Sequence, residues 1–169
     1  RQLRESERRL KTITDNAPAI ITYLDRAHRF QFVNATFCDW YGLQPADVVG
    51  RSIADVRGAE VDARMRPLLQ RAAAGEHVEA DLMVQHVALG PRECHITCLA
   101  DLADDGSVQG FHVMAYDITV HKALAQMMER RALHDELTGL PNRAGLAAAL
   151  DAALSAPAPG HATAVLFLD

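Results

Sequence analysis

Residues 20–50 read IITYLDRAHRFQFVNATFCDWYGLQPADVVG, and a change of period inside this stretch decides the fold. IITYLD (20–25) and RFQFVN (29–34) are β-branched and aromatic runs separated by a short break, the pattern of two adjacent strands. Asn34 then offers a side-chain oxygen to the orphan N–H groups of a new helix, and ATFCDWYG reads as a short helix closed by Gly42. LQPADVVG repeats the device, with Pro45 preset for a first helical turn and Gly50 just past its end.

Further along, Met65, Leu68, Leu69 and Ala72 fall on one face of a helix predicted over 62–74, which stops at Gly75. Three strand-like stretches follow at about 78–89, 92–103 and 108–117, punctuated by Gly90-Pro91 and by DDGS (104–107). Strands segregated from helices predict an α+β domain, one five-stranded antiparallel sheet with short helices over one face. Upstream, Leu3, Ser6, Leu10, Ile13 and Ala17 line one seam of a helix that reads as paired or docked. The chain turns helical again from about Val120 to His134.

The 169 residues, 49% of them apolar, suffice for one full domain plus extensions. A formal charge of −5, with 17 scattered basic residues, offers no positive stripe to a phosphate backbone and argues against nucleic-acid binding. The longest apolar runs, such as ATAVLFL (162–168), are far too short for a bilayer-spanning helix, so no membrane contact is expected. Three cysteines suit a reducing compartment, and the cytoplasm is the expected location. Position 1 is Arg and no leader is visible, so the sequence reads as a piece of a longer chain.

ITDNAPAIITYLDRAHRFQFVNATFCDWYGLQPADVVG (13–50), followed by GSVQGFHVMAYDIT (106–119), resembles a PAS sensor domain. The likeness rests on the FVN strand end, the helix from Pro45 to Gly50 and the closing Asp117-Ile118-Thr119. It covers residues 13–119 and implies the PAS fold, flanked by linker helices. LHDELTGLPNR (133–143) resembles the entry motif of GGDEF domains, the diguanylate cyclases that join two GTP molecules into cyclic di-GMP. AVLFLD (164–169) resembles that family's first strand, which implies that Asp169 is a metal-ligand carboxylate in an intact GGDEF domain. Phosphoryl transfer needs paired Mg²⁺ ligands and a phosphate cradle, and no Gly-Gly-Asp-Glu-Phe turn occurs here. These residues are therefore expected to be non-catalytic, with Mg²⁺ and GTP belonging to a parent cyclase.

The expected organisation is a helix over 1–16, the sensor domain over 17–119, a signalling helix over 120–134 and the start of the GGDEF domain over 135–169. Val120, Leu124 and Met127 form a short heptad seam, so a homodimer with paired helices is expected to pass a rotation or register shift to the output. Asp117, Ile118, Thr119, Leu124 and Met127 are the expected transmission residues. A solvated connector is the plainer alternative.

The PAS resemblance implies a cavity between the long helix and the sheet, holding haem, flavin, a small acid or nothing. Haem is argued against by the lack of His in 62–74, with Met65 reading as packing, and covalent flavin by the setting of Cys38. The cofactor stays unassigned. The expected pocket residues are Tyr23, Phe32, Trp40, Leu68, Leu69, Ile96, Cys98 and Val113, a lining that suits a small apolar or aromatic ligand, or a packed ligand-free core in a dimerisation scaffold.

Cys94, His95 and Cys98 suggest a metal, but four residues along a strand span about 13 Å, so both cysteines read as inward packing with Ile96. With Gly90-Pro91 as the two central residues of a hairpin, His86 faces His95. Tyr116 stands opposite His95 on the same face, and the trio would respond to pH. Ordinary packing is the plainer reading.

Overall fold

The computed structural model describes residues 2–155, with side chains from residue 5 onward. Leu3, the strand expected over 164–169 and Asp169 lie outside the residues so described. The elements run α1 (Gln2–Asp15), β1 (Ile20–Asp25), β2 (Phe30–Val33), α2 (Ala35–Tyr41), α3 (Pro45–Val48), α4 (Ile53–Arg57), α5 (Ala59–Ala73), β3 (Val78–His86), β4 (Gly90–Leu102), β5 (Val108–Asp117), α6 (Thr119–Leu133) and α7 (Arg143–Ser155). The strands form one five-stranded sheet in the order β2-β1-β5-β4-β3, every pairing antiparallel. This is the α+β architecture expected from the segregation of strands and helices. The chain divides into two compact units between Thr119 and Val120.

Asn34 ties the beginning of the first unit together. Its side-chain oxygen accepts from Ile21 N at 3.0 Å and from Phe37 N at 3.1 Å, capping α2. Its amide donates to the carbonyls of Thr14 and Ala19, each at 2.8 Å. A fully buried amide with both ends satisfied thus joins α1, β1 and α2, and each group orphaned by its removal would cost about 1–3 kcal/mol. Helix α4 was not anticipated, although its signal is present: Ser52 and Asp55 form a reciprocal capping box.

Two register details overturn expectations. Leu24 pairs with Phe30 while Tyr23 pairs with Phe32, so Gln31 is the extra residue of a β-bulge. That bulge sends Phe30 to the core and Phe32 to the other face. The β3–β4 connection is three residues, Val87 to Leu89, rather than two centred on Gly90-Pro91. His86 Nδ1 accepts from Ala88 N and Leu89 N at 3.0 and 3.2 Å, and Gly90 supplies the left-handed residue, φ 73°, that closes such a loop. Asp81 therefore stands opposite His95, and the expected His86–His95 pair does not form. Tyr116 does pair with His95.

In the second unit the residues of HDELTGLPNR account for one another. The Asp135 carboxylate accepts from Thr138 N and Oγ1 and from Leu137 N, at 2.9, 2.8 and 3.2 Å. Gly139 takes φ 72°. Asn142 donates to the carbonyl of Ala132 at 2.9 Å and accepts from Gly145 N at 3.0 Å, pinning the end of α6 to the start of α7. Gly145 has no room for a Cβ, which would strike the Leu133 carbonyl.

Candidate functional site

Helices α2, α4 and α5 cover the inner face of the sheet without filling the space beneath them. A cavity of about 440 Å³ remains, floored by Ile20, Thr22 and Leu24 of β1, Ile96 of β4 and Val113 and Ala115 of β5. Phe30, Phe37, Tyr41, Ile53, Val61 and Met65 wall it, and Leu82 to Gln85 of β3 border it. That volume lies within the roughly 300–1,000 Å³ of small-molecule pockets.

Its polar complement is small. The Thr22 hydroxyl donates to the Val113 carbonyl at 3.3 Å. Arg57 and Arg64 line the cavity, and the Arg57 guanidinium carbon sits 3.2 Å from the centroid of the Tyr41 ring. Burial pushes the Tyr41 phenol upward, against the opposing pull of Arg57. No carboxylate is among the lining residues.

Of the expected pocket residues, Ile96 and Val113 line this cavity. Cys98 and Leu69 are fully buried in the surrounding core, Leu69 also bordering a smaller space of about 270 Å³ beside Arg26 and His28. Leu68 packs against the core from α5. Trp40 flanks it, packed against His86 with ring centroids 4.7 Å apart and planes tilted by 58°, and its indole N–H is buried without a partner among the described residues. Tyr23 and Phe32 are corrections: strand alternation and the bulge put both on the outer face of the sheet. There the Tyr23 hydroxyl donates to Asp101 at 2.8 Å and its ring lies 4.9 Å from that of His112.

Sequence reasoning missed Phe30, Tyr41, Arg57 and Arg64. The bulge separates Phe30 from Phe32, Arg57 ends a helix absent from the sequence reading, and Arg64 lies on the expected long helix, outside its apolar face.

Cys94 and Cys98 are buried with Ile96 between them, as expected of inward packing. Burial pushes each thiol up to about 11. Among the described residues no group of three or more His, Cys, Asp or Glu side chains could hold a metal. His95 Nδ1 is 2.7 Å from Asp81, and its partners are carboxylates rather than a second imidazole.

At the far end of β5 the Asp117-Ile118-Thr119 segment is tied to β4. Arg92 donates to the Asp117 carboxylate at 2.8 Å, and Thr119 N donates to its other oxygen at 2.9 Å. The Thr119 hydroxyl accepts from Glu93 N at 2.8 Å, and Ile118 N donates to the Glu93 carbonyl at 2.8 Å. Burial raises the Asp117 carboxyl, but the bonds from Thr119 and Arg92 outweigh it and hold the group below the usual carboxylate range. Leu124 and Met127 of α6 are about half exposed.

A family model described as PAS fold matches residues 14–123. A curated relative from Caulobacter vibrioides, an uncharacterized signaling protein, is 31% identical over 157 residues, 83% of this chain and 17% of the relative. The chain thus spans about a sixth of that relative, the matched share being 17%. Among solved structures, the PAS domain of BvgS from Bordetella pertussis superposes with a TM-score of 0.52 at 22% identity, covering 74% of this chain and 98% of that one. The phage VqmA–DPO complex gives 0.57 at 19% identity, with 78% and 61% covered. An RNA-binding light-oxygen-voltage receptor gives 0.59 at 19%, with 75% and 37% covered. At such identities the likeness speaks to the fold alone.

Proposed function

This chain belongs to the PAS fold family, and from that premise we propose that it is a sensing module whose cavity takes a small apolar or aromatic molecule and whose signal leaves through α6. The observation that carries the reading is a shared strand. Ala115 of β5 lines the cavity, and two residues later Asp117 is clamped to Arg92 just before α6 begins at Thr119. A ligand that shifts β4 against β5 by a fraction of an ångström would load that clamp. The rival reading, a ligand-free scaffold, predicts a filled core, which the cavity of about 440 Å³ disfavours.

The output is proposed to be a cyclic di-GMP synthase in a longer, cytoplasmic protein. Support comes from the resemblance of residues 133–143 to the GGDEF entry motif, whose Asp135, Thr138, Gly139 and Asn142 each have a defined place in the turn. In that reading Asp169 becomes a Mg²⁺ ligand once the domain is complete, and residues 1–169 carry no catalysis of their own. Exposed Leu10 and Ile13 on α1, and Val120, Leu124 and Met127 on α6, support pairing with a second copy of the chain, since apolar side chains at such spacing gain from burial.

The test uses a protein that continues past Asp169, assayed for cyclic di-GMP from GTP and Mg²⁺. Arg92→Met is expected to change turnover several-fold, about 1 kcal/mol of lost coupling, while leaving the cyclase domain intact. A protein that makes no cyclic di-GMP in any state would sink the output assignment. Equal turnover with and without the clamp would sink the route.

A further inference from the structure

We propose that the cavity selects an organic anion, a small carboxylate with an apolar or aromatic body, its head held by Arg57 and Arg64. The inference rests on the sensing reading and names the class of ligand. The floor and walls are hydrocarbon and aromatic apart from Thr22, whose hydroxyl is already spent on a carbonyl, Gln85 at the border and the phenol of Tyr41. Two guanidinium groups line this space, from the end of α4 and from the second turn of α5, and no Asp or Glu does.

Neither arginine has a carboxylate partner among the described residues: Asp55 is committed to the Ser52 cap and Asp62 to Arg66. Arg57 is half-buried at an apolar wall without such a partner, so a bound anion gains a charge-assisted contact that a neutral molecule lacks and that a cation opposes. Arg57 is also pre-positioned. Its guanidinium carbon lies 3.2 Å from the centroid of the Tyr41 ring, which holds the charged head at the cavity wall, where a carboxylate can accept its N–H groups. Arg64 is exposed, and its charge-assisted contact with a ligand head would have to offset the side-chain entropy lost on ordering it.

The experiment is calorimetric titration of the 169-residue chain with 3-phenylpropionate, its uncharged amide 3-phenylpropanamide, and phenyl phosphate. The carboxylate is expected to bind about tenfold or more tightly than the amide, the worth of a charge-assisted bidentate pair. Arg57→Gln should remove most of that preference, and Arg64→Gln, on an exposed site where folding is not at stake, should reduce it several-fold. Ile96→Phe, which fills the cavity, should abolish binding of both.

Equal affinity for acid and amide, unchanged in Arg57→Gln, would overturn the anion assignment and leave the sensing reading standing. Tighter binding of phenyl phosphate than of 3-phenylpropionate would overturn the carboxylate in favour of a phosphate ester. No binding of any probe, with no small molecule retained by the purified chain in native mass spectrometry, would overturn this assignment and the sensing reading together.

Discussion

Leu24 and Tyr23 are neighbours in the chain, yet they serve opposite faces of the sheet by different means. Leu24 is 1% exposed and forms part of the floor of a cavity that its neighbours decline to fill. Tyr23 lies across the outer face, reaching Asp101 over Gly110, which has no side chain to obstruct it. The inner face is organised around space and the outer face around directed contacts. Loss of bulk should therefore dominate on one side, and loss of a partner or of clearance on the other.

The largest expected effect is on the inner face. Leu24→Ala should cost about 3 kcal/mol in urea unfolding, because the lost methyl groups only enlarge a void that already exists. A cost near that of an exposed leucine would erase the distinction between the faces. Gly110→Ala comes next, at about 2 kcal/mol. The new Cβ would meet the Leu24 carbonyl and the Tyr23 hydroxyl, and the backbone partner cannot yield. Pairing it with Tyr23→Ala should recover only the side-chain part of the strain.

Tyr23→Phe removes one hydrogen bond to a partly exposed carboxylate and should cost about 1 kcal/mol or less. The same bond has a pH signature. The hydrogen bond to Asp101, then burial, raise the Tyr23 phenol above its ordinary 10.0. The folded phenol holds its proton more tightly than the unfolded one, so this stabilisation is complete below pH 10.0 and is lost as pH rises through the folded value. Ultraviolet titration of tyrosinate should show two late phenols, Tyr23 and Tyr41, of which Asp101→Asn returns only that of Tyr23 toward normal. The smallest perturbation is chemical labelling. At pH about 8 a thiol reagent should modify half-buried Cys38 first, with Cys94 and Cys98, pushed up to about 11 by burial, reacting only on unfolding. Rapid native labelling of all three would show the inner face to be open.

Much of this organisation was legible before any coordinates. Asn34 announced a helix cap, Gly42 its end, and the inward set Cys94, Ile96 and Cys98 followed from period two. The cavity was less legible. Strict alternation would put Phe32 on the same face as Phe30, and one inserted residue at Gln31 breaks that phase, while Tyr23 points outward between the inward Thr22 and Leu24. His86 was set opposite His95 because a two-residue turn is the commonest connection. The actual loop shifts the pairing by an odd number of residues and so exchanges the faces of β3 relative to β4.

By itself the sequence determined which segments are strands and helices, where they stop, and which family's core they build. Those properties are local: they follow from period, caps and turn residues within a few positions of each other. Only the tertiary structure decided which side chains share a space. A bulge or a loop one residue longer costs little energy and leaves few marks in composition, yet it turns every later side chain in its strand to the opposite side. The meeting of Arg57 and Tyr41 with Ile96 and Val113 around one unfilled volume belongs to that second kind of fact.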